Sequence, residues 1–258
     1  GQRHAVRYEL RIDADTLLAG RTGAWEQAVF AEWDGRLTPR WRLRAGLRGT
    51  YYGVNEQFYL SPRFQLEYKP VDRWYLQVSG SRYYQFLREV DYETRLGNFQ
   101  PFYVLGGMAN FPVAASNHIA AGIRYLGETV GLEVEYFDRR TDGALEYALV
   151  RAGFDADSEA PARTLDYYPF TGKGRSYGID VLLRKTSGAY TGWIAYTLSK
   201  TTNRFPEILN GADFPASNDR RHQLQVVNQY RWGRWTFSGA YVFASGRPYT
   251  DLADLAQK

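Results

Sequence analysis

GKGRSYGIDVLLRKTSGAYTGWIAYTLSK, residues 172–200, decides the fold. After Ser176, alternate residues read Tyr177, Ile179, Val181 and Leu183, and those between read Gly178, Asp180, Leu182 and Arg184. Thr186, Ser187 and Gly188 interrupt the pattern as a turn would. It resumes as Tyr190, Gly192, Ile194, Tyr196 and Leu198 against Thr191, Trp193, Ala195, Thr197 and Ser199. A period of two is the mark of a strand, because successive side chains leave on opposite faces. The stretch is therefore a hairpin with one apolar and one mostly polar face. The question is what the apolar face meets.

Composition narrows the answer. The chain has 258 residues and a formal charge of +4, too weak a basic balance to point to nucleic acid. It has no cysteine, which excludes disulfides, thiolate metal sites and cysteine nucleophiles. His4, His118 and His222 lack zinc spacing, so no metal and no cofactor is expected. Aromatic residues make up 16%, with 21 Tyr and 7 Trp, more than an ordinary soluble domain carries. The chain opens at Gly1, which fits a processed product or a fragment, and no signal peptide is visible. Residues 98–123 have no Asp, Glu, Lys or Arg, but Pro101, Gly106, Gly107 and Pro112 argue against a membrane helix; the reading is a long uncharged loop.

The same alternation recurs along the chain, predicting strands near 3–13, 23–33, 40–52, 59–69, 74–86, 119–125, 130–136, 176–185, 190–199, 222–232 and 235–243. These segments of mostly ten to thirteen residues exceed the usual five or six of soluble strands and suit a tilted bilayer crossing. Connections near 34–39, 70–73, 127–129, 186–189 and 232–234 are short. Those near 14–22, 53–58, 87–115, 142–173 and 203–218 are mostly long, and the two kinds alternate. An up-and-down barrel with short turns at one end and long loops at the other has this pattern. Trp41, Trp74, Tyr125, Tyr190, Trp232 and Trp235 lie beside the short turns, where an interfacial girdle belongs. The expected fold is all-β, an antiparallel up-and-down transmembrane barrel, with about eleven strands in one domain spanning 1–258 and the apolar face toward lipid. A large soluble β-sandwich has the same binary pattern with the faces exchanged.

The last four of these strands also resemble a known family. GKGRSYGIDVLLRKTSGAYTGWIAYTLSKTTNRF, NGADFPASNDRRHQLQVV and FASGRPYT are similar, in order, to the distal barrel of TonB-dependent outer-membrane receptors, in particular the Bacteroidetes type with a carboxypeptidase-regulatory-like amino-terminal domain. AEWDGRLTPRWRLRAGLR, YLSPRFQLEYKP and SGSRYYQF extend the resemblance over roughly residues 24–250. It implies half of a 22-stranded barrel around an internal plug, in the bacterial outer membrane, importing a ligand with energy from TonB, ExbB and ExbD. Its partners would be outer-membrane lipids, its own plug and, in nutrient-uptake pairs, a surface lipoprotein. No plug, TonB box or carboxypeptidase-like domain is found in these 258 residues, and DLADLAQK is not the family's aromatic-ended last strand, so the reading is a fragment. A siderophore, oligosaccharide, peptide or cobalamin would each suit such a receptor.

Arg42, Arg44, Arg48 and Arg63, with Glu67, Glu133, Glu135, Asp180, Arg184, Gln223 and Gln225, belong to the polar face and are expected to line the lumen. The arginines could hold an anionic ligand; the plainer reading pairs them with the plug or with Glu26, Glu32 and Glu67. The aromatics of the long loops are the candidate ligand contacts: Phe99, Phe102, Tyr103, Tyr167, Tyr168, Phe170, Phe205 and Phe214, with Phe111 beside them. Packing between loops would use the same residues. Residues 218–222, NDRRH, read as a hydrogen-bonded collar. Gly172, Lys173 and Gly174 lack phosphate-loop spacing, and Asp155, Asp157 and Glu159 lack the EF-hand pattern, though they could hold a calcium ion. No catalytic residue is assigned, because Ser81, Ser116, Ser199 and Ser245 are not placed beside His118 or His222 by the sequence. A receptor-like barrel serving as a structural subunit, and a barrel enzyme, are the competing functional classes.

Overall fold

The computed structural model describes residues 2–12, 15–93, 99–108, 111–151 and 165–248. Eleven strands form one antiparallel meander: β1 (Gln2–Ile12), β2 (Asp15–Thr38), β3 (Trp41–Tyr52), β4 (Gln57–Tyr68), β5 (Trp74–Gln85), β8 (Ala114–Leu126), β9 (Val130–Arg151), β10 (Leu165–Lys185), β11 (Tyr190–Arg204), β13 (His222–Trp232) and β14 (Trp235–Ala244). A separate hairpin, β6 (Leu87–Glu93) with β7 (Phe99–Leu105), is inserted between β5 and β8. A two-residue β12 (Phe214–Pro215) pairs with the end of β11. Every sheet neighbour but two, β5 with β8 and β11 with β13, is also the next strand in sequence, which is the up-and-down order expected. β1 and β14 do not pair, so the sheet is open at both edges.

The opening hairpin takes the register its alternation demands. Ile179 faces Leu198, Val181 faces Tyr196 and Leu183 faces Ile194 on one side, while Asp180 faces Thr197 on the other. Gly188, at φ 98°, turns the chain where a side chain would be strained. No second layer covers the apolar side among the described residues: Val29 is 73% exposed, Ile119 60% and Tyr241 57%. A soluble sandwich would bury this face, and an exposed apolar surface of this extent needs a nonaqueous neighbour. No helix among the described residues is long and apolar enough to cross a membrane, which leaves strand crossing untouched. At the short-turn end, Trp41 stacks on Tyr68 at 4.4 Å and Trp74 meets Tyr125 at 5.0 Å, forming the aromatic edge read from sequence.

Four expectations need correction. Residues 15–22 are not a loop: β2 starts at Asp15, and at 24 residues it is the longest strand, where the sequence predicts an irregular one of about eleven. Residues 34–38 likewise belong to β2, leaving a turn at 39–40. The loop read at 142–173 is largely strand, since β9 and β10 stay paired from Val130/Lys185 to Arg151/Leu165. Residues 98–123 are not one uncharged loop but contain β7 and most of β8. At 15–22 and 142–173 hydrogen-bonded pairing continues past the apolar band, where both faces meet water and the alternation that marks a lipid-facing strand is lost.

Candidate functional site

The strand register places all the expected lumen residues on one face. One row runs Arg42, Glu67, Gln77, Gly122, Glu135, Asp180, Thr197, Gln223 across seven adjacent ladders. Arg124 faces Glu133 and Tyr75 in the row beside it. Arg184 faces Trp193, and Gln225 faces Ala195, on the same side. Opposite charges therefore meet along the wall. Arg48 reaches Glu26 at 3.0 Å, Arg63 reaches Glu32 at 2.8 Å and Arg124 reaches Glu67 at 2.6 Å. Asp34 receives both Arg42 and Arg44 at 2.8 Å, a partner the sequence reading did not name because it lies in a segment read as a turn.

Two glycines let the longer pairs form. Arg63 crosses Gly46 to reach Glu32 on the next strand but one; a Cβ at Gly46 would sit 2.8 Å from the Arg63 Nε. Gln77 likewise crosses Gly122, donating to Glu135 at 2.9 Å. These positions are close approaches rather than flexible points. Together Arg42, Arg44, Gln65, Glu67 and Arg124 line a shallow polar recess of about 250 Å³ near the short-turn end. The Arg124 guanidinium also lies over the Tyr75 ring, while its buried Nε has no hydrogen-bond partner. Three cations and one carboxylate around this recess suit an acidic or hydrogen-bond-accepting group.

At the long-loop end the polar face closes over a small core. Tyr52 is fully buried with Ala24 and Leu105, and Val54, Tyr59, Phe86, Leu87, Met108 and Val113 pack around them. The β4–β5 ladder stops at Arg63/Ser81, and beyond it Tyr84 and Phe86 meet Tyr59 at 4.8 and 5.1 Å. Arg88, buried, donates to the Gly143 carbonyl and ties the inserted hairpin to β9. The expected ligand aromatics divide accordingly. Phe205 is fully buried and meets Phe214 at 5.9 Å, so this pair packs loop to strand. Tyr103 is exposed on β7, with its hydroxyl donating to Glu89 at 3.1 Å, and Phe170 is half-buried on β10. Phe111 bridges back to Met108. Phe99, Phe102, Tyr167 and Tyr168 lie on β7 and β10 rather than on loops; their side chains are outside those described. Asp155, Asp157 and Glu159 fall outside the described residues, and no metal-binding cluster exists among the residues that are described.

The NDRRH segment is a collar. Asp219, buried, accepts from the Thr201 amide at 2.7 Å; His222 shares a hydrogen bond of 2.8 Å with Tyr196 through Nδ1, and its own amide donates to Ser245. Gly172 begins a β-bulge on β10, where a Cβ would collide with the Arg204 carbonyl at 2.2 Å, so it serves close packing and cradles no phosphate. One correction concerns serine and histidine. Ser116 and His118 do sit together, with Oγ and Nε2 2.9 Å apart, because a spacing of two on β8 puts both on one face. Ser116 also bonds Thr141 at 3.0 Å, and Arg139 faces His118 across the ladder, with no carboxylate bonded to the imidazole among the described residues. Among the described residues the pair therefore has no third member to orient the histidine as a base for the serine.

A family model described as TonB dependent receptor-like, beta-barrel, matches residues 8–257. Among solved structures, the chain is similar to the pyoverdine outer-membrane receptor of Pseudomonas aeruginosa bound to pyoverdine, with a TM-score of 0.60 and 14% identity over 88% of this chain and 32% of that one. It is similar to the alcaligin outer-membrane receptor FauA of Bordetella pertussis, with a TM-score of 0.56 and 15% identity over 88% of this chain and 38% of that one. The FrpB iron transporter of Neisseria meningitidis gives a TM-score of 0.58 and 12% identity over 86% and 33%. The chain thus spans about a third of the length of these structures. No curated protein matches it in sequence.

Proposed function

We propose that this chain, which belongs to the TonB dependent receptor-like β-barrel family, is half the wall of a plugged barrel that imports a ligand with energy from TonB, ExbB and ExbD. The family is one of outer-membrane transporters rather than enzymes, and the chain lies in the bacterial outer membrane. The observation that carries the import reading is the open eleven-strand sheet, with a charged face opposite an uncovered apolar one. Bare edges leave backbone groups unpaired in lipid, so further strands must complete the barrel. The polar face then lines a lumen, and its recess at Arg42, Arg44 and Arg124 faces the plug. The hairpin β6–β7 and the end of β10 stand at the extracellular mouth, and Tyr103 and Phe170 are the ligand contacts available there. A ferric siderophore, an oligosaccharide or a peptide would be the cargo, with a surface lipoprotein as a further partner. The narrower likeness to the Bacteroidetes type rests on the sequence motifs.

The test is the native chain from isolated outer membranes, by intact mass with peptide mapping beyond both ends of this segment. Cells with and without the receptor are then given a set of radio-iron-loaded siderophores, with and without a protonophore. A chain some three times heavier with plug peptides upstream, and receptor-dependent uptake abolished by the protonophore, is expected for siderophore import. A native chain of this size would overturn the plugged transporter. A full-length plugged receptor that takes up none of these would move the cargo to oligosaccharide or peptide.

A further inference from the structure

The apolar face does not end uniformly. On β2 and β3 its long-loop end finishes on aromatics, Trp25 against Tyr51 at 5.2 Å. On β9 to β11 it gives way abruptly to charge. The register stacks Tyr136, Ile179 and Leu198 in the last apolar row, with Asp138, Tyr177 and Lys200 in the row above. Arg140, Arg175 and Thr202 follow, and then Asp142, Lys173 and Arg204. From Tyr190 to Leu198 the apolar rows span about 26 Å along the strand, or roughly 20 Å across a bilayer at the tilt of such barrels, so the charged rows begin at headgroup depth.

The centre of this patch is built. The Asp138 side chain is only 10% exposed and holds two guanidiniums, Arg175 at 2.5 Å and Arg140 at 3.2 Å. Those arginines remain 46% and 68% exposed, so their outer N–H groups point away from the carboxylate that fixes them. Arg175 also lies over the Tyr177 ring at 4.6 Å. Lys173 and Arg204 are 76% and 56% exposed beside Asp142 and Asp213. Lys200 makes no ion pair among the described residues. Five cations against three carboxylates leave two positive charges in excess, directly above aliphatic rows that would take acyl chains.

We propose that this patch binds a phosphate-bearing lipid headgroup of the outer leaflet. Two preset guanidinium forks match phosphate oxygens, Lys200 adds a point charge beside Tyr177, and Lys173 adds another two rows further out on the same strand as Tyr177. The lipid is committed to by position: a free anion in the medium has no use for the apolar rows beneath. The inference rests on the apolar face meeting lipid and is independent of whether the receptor imports anything.

The complete receptor, purified in an uncharged detergent and checked for a folded barrel by heat-modifiable gel migration, is titrated with diphosphorylated lipid A and with its dephosphorylated form, counting bound lipids by native mass spectrometry. Wild type should prefer the phosphorylated form. K173Q/K200Q, which leaves the Asp138 pairs intact, should bind it about 30-fold more weakly, at roughly fivefold per lost cation, with no change toward the dephosphorylated form. If that variant does not fold, 0.5 M salt with wild-type protein replaces it and should weaken the phosphorylated form alone. Equal binding of the two lipids, no loss in the variant, or full displacement by millimolar inorganic phosphate would each overturn the proposal, the last by making it a free-anion site.

Discussion

Replacing Tyr52 by alanine should free the inserted β6–β7 hairpin from the wall while leaving the barrel folded. Tyr52 is fully buried, its ring 4.5 Å from Phe86, in the cluster that also takes in Leu105 and Met108 from the far side of the hairpin. Removing a large buried side chain that the surroundings cannot refill costs about 3–5 kcal/mol. That loss falls on the local unit, because the main sheet is held by its own ladders and the hairpin pairs only with itself. Opening should become between about two and four orders of magnitude more frequent, at 1.4 kcal/mol per decade, and proteolysis of the opened form rises in step. The Tyr52 hydroxyl makes only a long contact of 3.5 Å to the Phe86 carbonyl, so Y52F should cut at close to the wild-type rate. The assay is limited proteolysis of intact cells, with fragments mapped to residues 87–108. Wild-type cleavage rates in Y52A, or loss of the whole barrel's heat-modifiable migration, would refute the view that this core anchors the hairpin alone.

Three other outcomes follow from the wall. G122V should separate Gln77 from Glu135, leave a half-buried carboxylate short of a donor at a cost of about 1–3 kcal/mol, and lower the urea midpoint of the folded barrel. D34N should leave that midpoint unchanged, since Arg42 and Arg44 are both half-exposed and water takes over, whereas a fall comparable to G122V would show that the pairs hold the strands together. S116A together with H118Q should leave radio-iron uptake as it is; loss of a hydrolytic activity in that variant would revive an enzyme reading.

The strands were legible wherever lipid faces one side. Trp41, Leu43, Ala45 and Leu47 against Arg42, Arg44 and Arg48 fix both strand and face, because a bilayer enforces period two. Beyond the bilayer that pressure ends, so Thr16, Leu18 and Ala19 in β2 and the outer halves of β9 and β10 read as loop although they remain paired. The facing of the arginines was readable for the same reason. Their partner Asp34 was not, since it was assigned to a turn, and neither were Gly46 and Gly122, whose value is the space that two neighbouring strands need. Ser116 and His118 could have been found: two residues apart on a strand, they share a face by geometry alone. Tyr52 follows the arginine parity of β3, but its burial depends on a hairpin more than thirty residues away, which no local pattern announces.

The central claim is that the apolar face meets lipid and the polar face water. These 258 residues contain no cysteine, so with any cysteine elsewhere in the receptor replaced by serine, spin labels can be placed singly at I194C and A195C, adjacent residues on opposite faces of β11. In the complete receptor reconstituted in bilayers, relaxation by oxygen should dominate at the first site and relaxation by a water-soluble nickel chelate at the second. The reverse, or oxygen and nickel accessibilities that do not differ between the two, would contradict the account.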